Sequence, residues 1–403
     1  MNKALVIGTG IEFSHVQALA EKGVEVYYYT DFISTMPTFD DFSTGIGFEN
    51  IKKVHDPFLY IDKVDIICNF DVLNGDLFDF LARKGYKVFG GGVATDLELN
   101  RKNLKNALKV IGIPTPPYKV VKGYDNIPVP SVVKLSIFRG SMETFILKNE
   151  TQKKNLKTKL QLEFGAFLDR MEFIVEDILS LSKDWVETGI DAFFDWRTGG
   201  FIFPMLVGVE YKKGVYIGKV VHSLAEVPKG LQDTIIRLGD LLNKTKYRGM
   251  LSTEEFVNPE TGQHYFLDLT VRGAYPLSLG YRYAIENYKD VIFNSDAPKY
   301  RGKYYVSVPF VVEETKNMFV NIKFPDKDKR FNFESLMKVG REYYIPKAEA
   351  PMEGIVCEVF DKLDFTQMKG VMSNLINKIE AYSLNDELEQ LEDCYNEFVK
   401  AIG

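Results

Sequence analysis

The sequence is poor in the residues that build disulfide frameworks, zinc sites and histidine-based catalysis. Its 403 residues include only three cysteines, Cys68, Cys357 and Cys394, which lie far apart and form no Cys-x-x-Cys pair. The four histidines are scattered along the chain. These counts disfavour a structural zinc site, a disulfide scaffold and a histidine-driven triad. We expect a reducing compartment and oxygen ligands for any metal.

The sequence also lacks a long apolar run and an excess of positive charge. No window reaches the length of a membrane span, and the start, MNKALVIGTGIEF, is unlike a signal peptide. The formal net charge is -6 and the pI is about 5.5, which disfavours a broad surface for nucleic acid or anionic membranes. We therefore expect a cytoplasmic protein, monomeric or homodimeric, that acts on small molecules.

Residues 1–95 alternate between strand and helix patterns. The strand ALVIG leads through the loop GTG into the helical FSHVQALAEKG, and VEVYYYT is a second strand. This order predicts a small, Rossmann-like parallel α/β domain. Gly8 and Gly10 stand where strand passes to helix, so backbone N–H groups there are suited to a phosphate. A tight turn that needs glycine explains them equally well, and Phe13 in place of a third glycine argues against a dinucleotide motif.

Two strand patterns carry charged residues in apolar surroundings. In SVVKLSIF, Lys134 lies mid-strand, and a buried lysine needs an anionic partner unless its head group reaches the surface. In HYFLDLTVRGAYP, Asp268, Thr270 and Arg272 occupy every second position, so a strand directs all three to one face. A structural salt bridge between Asp268 and Arg272 and a functional site are both consistent with this pattern.

The ordered set of motifs resembles a known superfamily. A Pro-rich elbow, IGIPTPPY, precedes the strand VVK, a glycine-containing turn, a strand ending in VEDIL, and an Asp-x-Thr-x-Arg strand. This order resembles that of the ATP-grasp superfamily, and most closely that of the phosphoribosylamine–glycine ligases. The segment LVIGTGIEFSHVQALA also resembles the opening of those ligases. The resemblance implies a Rossmann-like domain at 1–95, an ATP-grasp domain at 96–298 with a nucleotide subdomain at about 119–185, and a small C-terminal α+β domain at 299–403.

The resemblance also implies which residues bind ATP. They are the phosphate ligands Arg101 and Lys134, the closing loop Arg139, Gly140 and Ser141, the adenine-reading hinge at Glu176 and Ile178, and the ribose carboxylate Glu187. Between the hinge and Glu187, this chain has an insertion relative to the short gap that is usual in the family.

The resemblance places Mg²⁺, with Mn²⁺ as a possible substitute, on two antiparallel strands. Glu255 lies 13 positions before Asp268, and the turn NPETG between them predicts a hairpin that sets the two carboxylates side by side. Mg²⁺ needs few carboxylates when phosphate and water supply the other oxygens. The family usually has Glu-x-Asn-x-Arg where this chain has Asp268, Thr270 and Arg272, which implies a weaker second metal site or a degenerate one.

The implied function is an ATP-dependent carboxylate–amine ligase that works through an acyl phosphate. Lys134, Arg101, Arg272 and the metals would supply positioning and charge neutralisation, with Arg272 clamping the phosphoryl group or the carboxylate substrate. A small amino acid is the expected acid, and a phosphorylated or sugar-like molecule the expected amine.

The amine site is where the likeness weakens. Gly8, Gly10, Glu12 and Asp71 match the family's substrate contacts, but Asn69-Phe70-Asp71 stands where the family has Gly-Pro-Glu. Two alternatives therefore stay open. One is a non-catalytic relative that only binds nucleotide, and the other is an amino-acid or peptide ligase outside purine synthesis.

Overall fold

A computed structural model describes residues 1–30, 43–135, 144–347 and 353–402. The chain begins with a five-stranded parallel sheet in the order β3-β2-β1-β4-β5. Its strands are β1 (Lys3–Gly8), β2 (Glu25–Thr30), β3 (Ile51–Lys53), β4 (Ile66–Cys68) and β5 (Val88–Phe89), and its helices are α1 (Phe13–Glu21) and α2 (Gly75–Arg83). The strand β1 is an apolar run because helices and loops cover both faces of the sheet. The predicted parallel α/β unit is confirmed.

A four-stranded antiparallel sheet follows, in the order β6-β9-β7-β8. The chain reaches it through α3 (Thr95–Leu99) and α4 (Arg101–Ile111), and α4 ends at Gly112, whose positive φ of 78° suits glycine. The sheet contains β6 (Tyr118–Lys122), β7 (Ser131–Leu135), β8 (Thr144–Leu147) and β9 (Glu172–Glu176), with α5 (Glu150–Phe164) beside it. Apolar residues of this sheet and of α5 form a separate small core.

The largest element is a nine-stranded sheet in the order β14-β13-β10-β11-β12-β15-β20-β17, with β21 beside β15. Its strands are β10 (Val186–Asp195), β11 (Gly200–Tyr211), β12 (Val215–Val221), β13 (Arg248–Val257), β14 (His264–Thr270), β15 (Tyr304–Val312), β17 (Phe331–Phe333), β20 (Gly354–Phe360) and β21 (Leu384–Asp386). The other strands, β16 (Val320–Ile322), β18 (Met337–Val339) and β19 (Glu342–Ile345), form a three-stranded sheet.

Helices cover both faces of the nine-stranded sheet. They are α6 (Lys229–Lys244), α7 (Tyr281–Ala284), α8 (Tyr288–Asn294), α9 (Phe365–Ile376) and α10 (Leu391–Ile402). One core lies between the sheet and α4 and α6, and a larger one joins the other face to α1, α7 and α8. Within the described residues, no helix combines the length and apolar character that crossing a bilayer requires.

The nine-stranded sheet crosses the predicted boundary between residues 298 and 299. Strand β15, beyond the boundary, pairs with β12, which lies before it, with Tyr216 opposite Ser307. The predicted second and third units therefore share one sheet. The mixture of a parallel sheet with antiparallel sheets agrees with the predicted fold class.

Candidate active site

The hairpin β13–β14 carries the predicted metal ligands, but its register differs from the expected one. Glu254 is opposite Asp268, and an irregularity then shifts the pairing so that Glu255 is opposite Phe266. Side chains alternate along a strand, so Glu254 and Asp268 share one face, here named the cleft face, and Glu255 points to the other. The prediction that Glu255 lies beside Asp268 is wrong, because Leu267 is an extra residue in β14.

Glu255 instead ties the hairpin to α6. Its carboxylate is fully buried, accepts a hydrogen bond from the Thr234 hydroxyl at 2.8 Å and lies 2.7 Å from Nδ1 of His264. Burial raises the pKa of Glu255, although His264 and Thr234 act in the opposite direction. The sequence offers two adjacent acids in STEEF, and only the bulge decides which of them faces the cleft.

Asp268 and Arg272 bind different partners. Arg101 holds Asp268, with Nη2 2.9 Å from Oδ2, and also donates to the Leu135 carbonyl at 2.8 Å. Arg272 donates from Nε to Glu98 at 3.2 Å and lies 3.7 Å from Asp71. The structure therefore does not form the salt bridge between Asp268 and Arg272 that the strand pattern allowed.

Electrostatics keep Asp268 ionised. Burial alone raises the pKa of Asp268, but the charges of Arg101 and Lys134 bring it below its ordinary value. Asp268 is thus a carboxylate that can accept a cation at neutral pH.

Lys134 is buried and paired, which answers the question raised by its position in β7. Its Nζ donates to the Leu267 carbonyl at 3.0 Å and lies 3.5 Å from Glu176 Oε2.

Sequence reasoning missed a second buried lysine, Lys105, whose Nζ lies 2.5 Å from Glu176 Oε1. Lys105 stands one turn after Arg101 in α4, and this i, i+4 spacing among buried leucines is a signal that could have revealed it.

The remaining predicted nucleotide residues lie around this pair of lysines. Glu176 ends β9 and Ile178 follows it with an exposed side chain. Glu187 lies on the cleft face of β10, where loss of solvation raises its pKa and Lys134 lowers it. The loop residues Arg139, Gly140 and Ser141 lie outside the described residues, so their closing role stays a prediction.

The cleft face concentrates negative charge. The side chain of Glu254 is exposed to solvent, yet desolvation by the surrounding protein and the charges of its neighbours Asp268 and Glu187 raise its pKa to about 7. On β11, the same two effects raise the pKa of Glu210 well above its ordinary value. Clustered carboxylates with raised pKa values are typical of a site that receives a cation.

The donor set fits a magnesium ion that is shared with phosphate. Among the described residues, no group of three or more His, Cys, Asp or Glu side chains is arranged to hold a metal by itself. Glu254 and Asp268 are nevertheless direct neighbours, and Thr270 lies on the same face opposite Ser252. Two carboxylates and a hydroxyl, completed by phosphate oxygens and water, meet the preference of Mg²⁺.

The glycine loop after β1 does not offer its N–H groups to a phosphate. The N–H groups of Thr9 and Gly10 each donate to the carboxylate of Glu12 at 3.2 Å, and the Tyr28 hydroxyl donates to the same carboxylate at 2.5 Å. Gly8 makes room, because a Cβ there would lie 2.1 Å from Glu12 Oε1. Of the two interpretations of the loop, the structure agrees with the tight turn.

Replacing Gly8 by Ala tests this arrangement. We expect a loss of about 1–3 kcal/mol in the free energy of unfolding, because the new methyl group must displace the Glu12 carboxylate from its donors. The matched control is Gly370→Ala, since a Cβ on Gly370 in α9 meets nothing within 4 Å. Denaturant unfolding measures both variants, and equal stability of the two would contradict the packing of Glu12 against Gly8.

Asp71 connects this loop with the cleft. It accepts a hydrogen bond from the Thr9 hydroxyl at 2.7 Å and lies close to Arg272. The predicted substrate positions Gly8, Gly10 and Asp71 thus lie near the end of β14, although their contact with a substrate stays a prediction.

Comparisons with known proteins find structural relatives only. No protein-family model matches the sequence, and no curated protein matches it either. The chain is similar to phosphoribosylamine–glycine ligase from Thermotoga maritima, at 15% identity and a TM-score of 0.64, over 95% of this chain and 98% of that one.

Two further solved structures show the same likeness. The biotin carboxylase domain of 2-oxoglutarate carboxylase from Hydrogenobacter thermophilus, solved with MgADP and bicarbonate, has 15% identity and a TM-score of 0.66 over 98% of this chain and 94% of that one. N5-carboxyaminoimidazole ribonucleotide synthetase from Thermotoga maritima has 14% identity and a TM-score of 0.60 over 95% of this chain and 100% of that one. These proteins are ATP-grasp enzymes, and the chain has their fold, as the sequence predicted.

Proposed function

We propose that the protein is an ATP-dependent carboxylate–amine ligase that activates a small carboxylate as an acyl phosphate. One observation carries the proposal. Lys105 and Lys134 converge on Glu176 at the end of β9, and Lys134 also donates to the hairpin that carries Glu254 and Asp268 on the cleft face. Basic side chains opposite a carboxylate pair suit a nucleotide triphosphate with its metal, and similar folds have been solved with ADP and MgADP.

The residues present fit ATP and Mg²⁺ in the following way. Lys134 and Lys105 would hold phosphate oxygens, and Glu187 the ribose. Glu254 and Asp268, with Thr270, would hold Mg²⁺ or Mn²⁺, so Glu254 takes the place that the sequence gave to Glu255. When bound, the metal neutralises phosphate charge and makes the γ-phosphoryl group easier to transfer.

The reaction consists of two displacements. A carboxylate oxygen of the substrate attacks the γ-phosphorus, the bond to the β-phosphate oxygen breaks and ADP leaves. The amine then attacks the acyl carbon, loses a proton and expels phosphate, which leaves an amide. Arg272 contributes by orientation, because its Nη2 makes no hydrogen bond with the described residues and is available to an anionic group.

Hydroxylamine provides the direct test of the activity, because it traps an acyl phosphate as a hydroxamate whatever the natural amine is. Wild-type protein with MgATP and a panel of carboxylic acids is expected to release ADP and form a hydroxamate from at least one acid. Binding of MgATP without product from any acid would favour the non-catalytic alternative.

One observation favours a ligase outside purine synthesis. The N–H groups of Thr9 and Gly10 donate to the buried Glu12 carboxylate, so they are not free to bind the phosphate of a phosphorylated amine. Incubation with glycine and phosphoribosylamine separates the two candidates, since only a phosphoribosylamine–glycine ligase would join them.

Replacing Thr270 by Asn tests the second metal position. An amide carbonyl is a stronger oxygen ligand than a hydroxyl and reaches further, so we expect activity that is unchanged or higher and a lower Mg²⁺ concentration at half-maximal rate. A magnesium titration of ADP release measures this. An inactive Thr270→Asn variant of an active wild type would mean that Thr270 contacts a substrate instead.

A further inference from the structure

Two opposite charges near the end of β14 pair crosswise with two charges of α3 and α4. Asp268 pairs with Arg101 at 2.9 Å, and Arg272 pairs with Glu98 at 3.2 Å. The partners are 167 and 174 positions apart in the chain. Because each charge of the hairpin has its own partner on the helices, the carboxylate and the guanidinium are oriented separately.

The bend that carries Arg272 is held by two buried side chains. Strand β14 ends at Thr270, one residue before the buried Val271. The Val271 N–H donates to Glu98 Oε2 at 2.5 Å, and the Val271 carbonyl accepts a hydrogen bond from the Tyr247 hydroxyl at 3.0 Å. Glu98 and Tyr247 therefore fix the backbone from which the Arg272 side chain extends.

Glu98 also binds the guanidinium of Arg272 itself. Its Oε1 accepts from Arg272 Nε at 3.2 Å, and Arg272 Nη1 donates to the Gly273 carbonyl at 3.3 Å. A guanidinium is planar and its nitrogens form a rigid fork, so two bound nitrogens determine the direction of the third. Within the described residues, Nη2 makes no hydrogen bond, and it is the nitrogen left for a ligand.

Asp71 is a weaker partner of the same guanidinium. It lies 3.7 Å from Arg272 Nε, and its oxygens accept hydrogen bonds from the Thr9 hydroxyl and the Val72 N–H, both at 2.7 Å. The Glu98 side chain is closer to Arg272 and is completely buried, where charges interact more strongly than in water. Glu98 thus determines the orientation of Arg272 more than Asp71 does.

The guanidinium that Glu98 holds lies near the carboxylates of the cleft. Burial raises the pKa of Glu210 on β11, and the charge of Arg272 lowers it. A buried ion pair such as that of Glu98 and Arg272 contributes little net stability compared with an apolar pair of similar size. Its effect on the direction of the guanidinium is therefore the better explanation for a carboxylate at this position.

We propose, on the basis of the ligase function above, that Glu98 is a positioning residue, which directs Arg272 Nη2 towards the anionic group that reacts in the cleft. Glu98 acts through Val271 and Arg272 and does not touch the substrate. A guanidinium N–H that already points to the developing charge needs no reorganisation during phosphoryl transfer. Without the Glu98 carboxylate, the charge of Arg272 stays at the cleft but its direction is no longer fixed.

A double-mutant cycle of Glu98→Gln and Arg272→Met tests this function through ADP release. We expect Glu98→Gln to lower kcat by about 10- to 100-fold at unchanged MgATP affinity, because misdirection of a charged group costs rate and not nucleotide binding. Arg272→Met should lose at least as much, and adding Glu98→Gln to it should cost nothing further. Asp96→Asn, an exposed carboxylate on the same helix, is the control and should keep the wild-type kcat.

Glu98→Asp covers the case in which Glu98→Gln does not fold. It keeps the charge and moves the carboxylate back by one methylene, so we expect a smaller loss of kcat that again disappears in the Arg272→Met background. A residue with a merely structural function would act independently of Arg272. Losses that multiply in the double variants, or an unchanged kcat in folded Glu98→Gln, would therefore overturn the positioning function.

Inorganic phosphate in the presence of MgADP gives a readout that needs no turnover. We expect phosphate to raise the melting temperature of wild type and of Asp96→Asn, and to raise it less in Glu98→Gln and Arg272→Met. Wild type without turnover of any acid would refute the ligase function, and this pattern of stabilisation would still support the positioning function. Equal stabilisation of wild type and Glu98→Gln, or no stabilisation of wild type, would overturn it.

Discussion

Glu254→Gln is expected to reduce ATP-dependent turnover by about 100- to 1,000-fold with little change in stability, because an amide neutralises far less charge between metal and phosphate than a carboxylate does. Glu255→Gln, the same change one residue later, is expected to behave in the opposite way. It should retain turnover and lose about 1–3 kcal/mol of stability, because the buried bonds to Thr234 and His264 are disturbed.

The pair of variants is informative because both measurements are made on both proteins. ADP release measures turnover, and denaturant unfolding measures stability. If Glu255→Gln lost turnover at full stability while Glu254→Gln stayed active, Glu255 would be the metal ligand, as the sequence alone predicted. A large loss of stability in Glu254→Gln would mean that this carboxylate has a structural function.

Lys134→Met is expected to weaken MgATP binding by about 10- to 100-fold. The side chain keeps its apolar stem but loses the ammonium group, and a hydrogen bond between charged groups contributes about 1.5–3 kcal/mol. Glu176 keeps Lys105 as a partner, so the variant does not leave that buried carboxylate unpaired.

Calorimetric titration with MgATP measures the change in affinity. Lys102→Met is the control, because Lys102 is on the same helix as Lys105 but pairs with Glu172 in a partly exposed position. Equal affinities of the two variants would place the nucleotide elsewhere than beside Lys134.

The sequence by itself determined the alternation of strands and helices at the start of the chain and the face that two residues of β14 share. Apolar runs with glycine loops predicted the parallel sheet. Alternation correctly placed Asp268 and Thr270 on one face of β14, since the side-chain period of a strand is a local property, but the strand ends at Thr270 and Arg272 lies in the bend that follows it. Lys134 was also recognised as a lysine that needs an anionic partner.

Only the tertiary structure decided the partners of these residues. A single extra residue, Leu267, changed which acid of STEEF faces the cleft, and such a bulge leaves no mark in the pattern of the other strand. Asp268 pairs with Arg101 from a helix that is 167 residues away in the chain. The Glu12 carboxylate lies in the glycine loop because the Tyr28 hydroxyl donates a hydrogen bond to it and because Gly8 has no Cβ that would displace it. Register and long-range pairing depend on the packing of whole sheets and helices, and for this reason local sequence could name candidate residues but could not match them to one another.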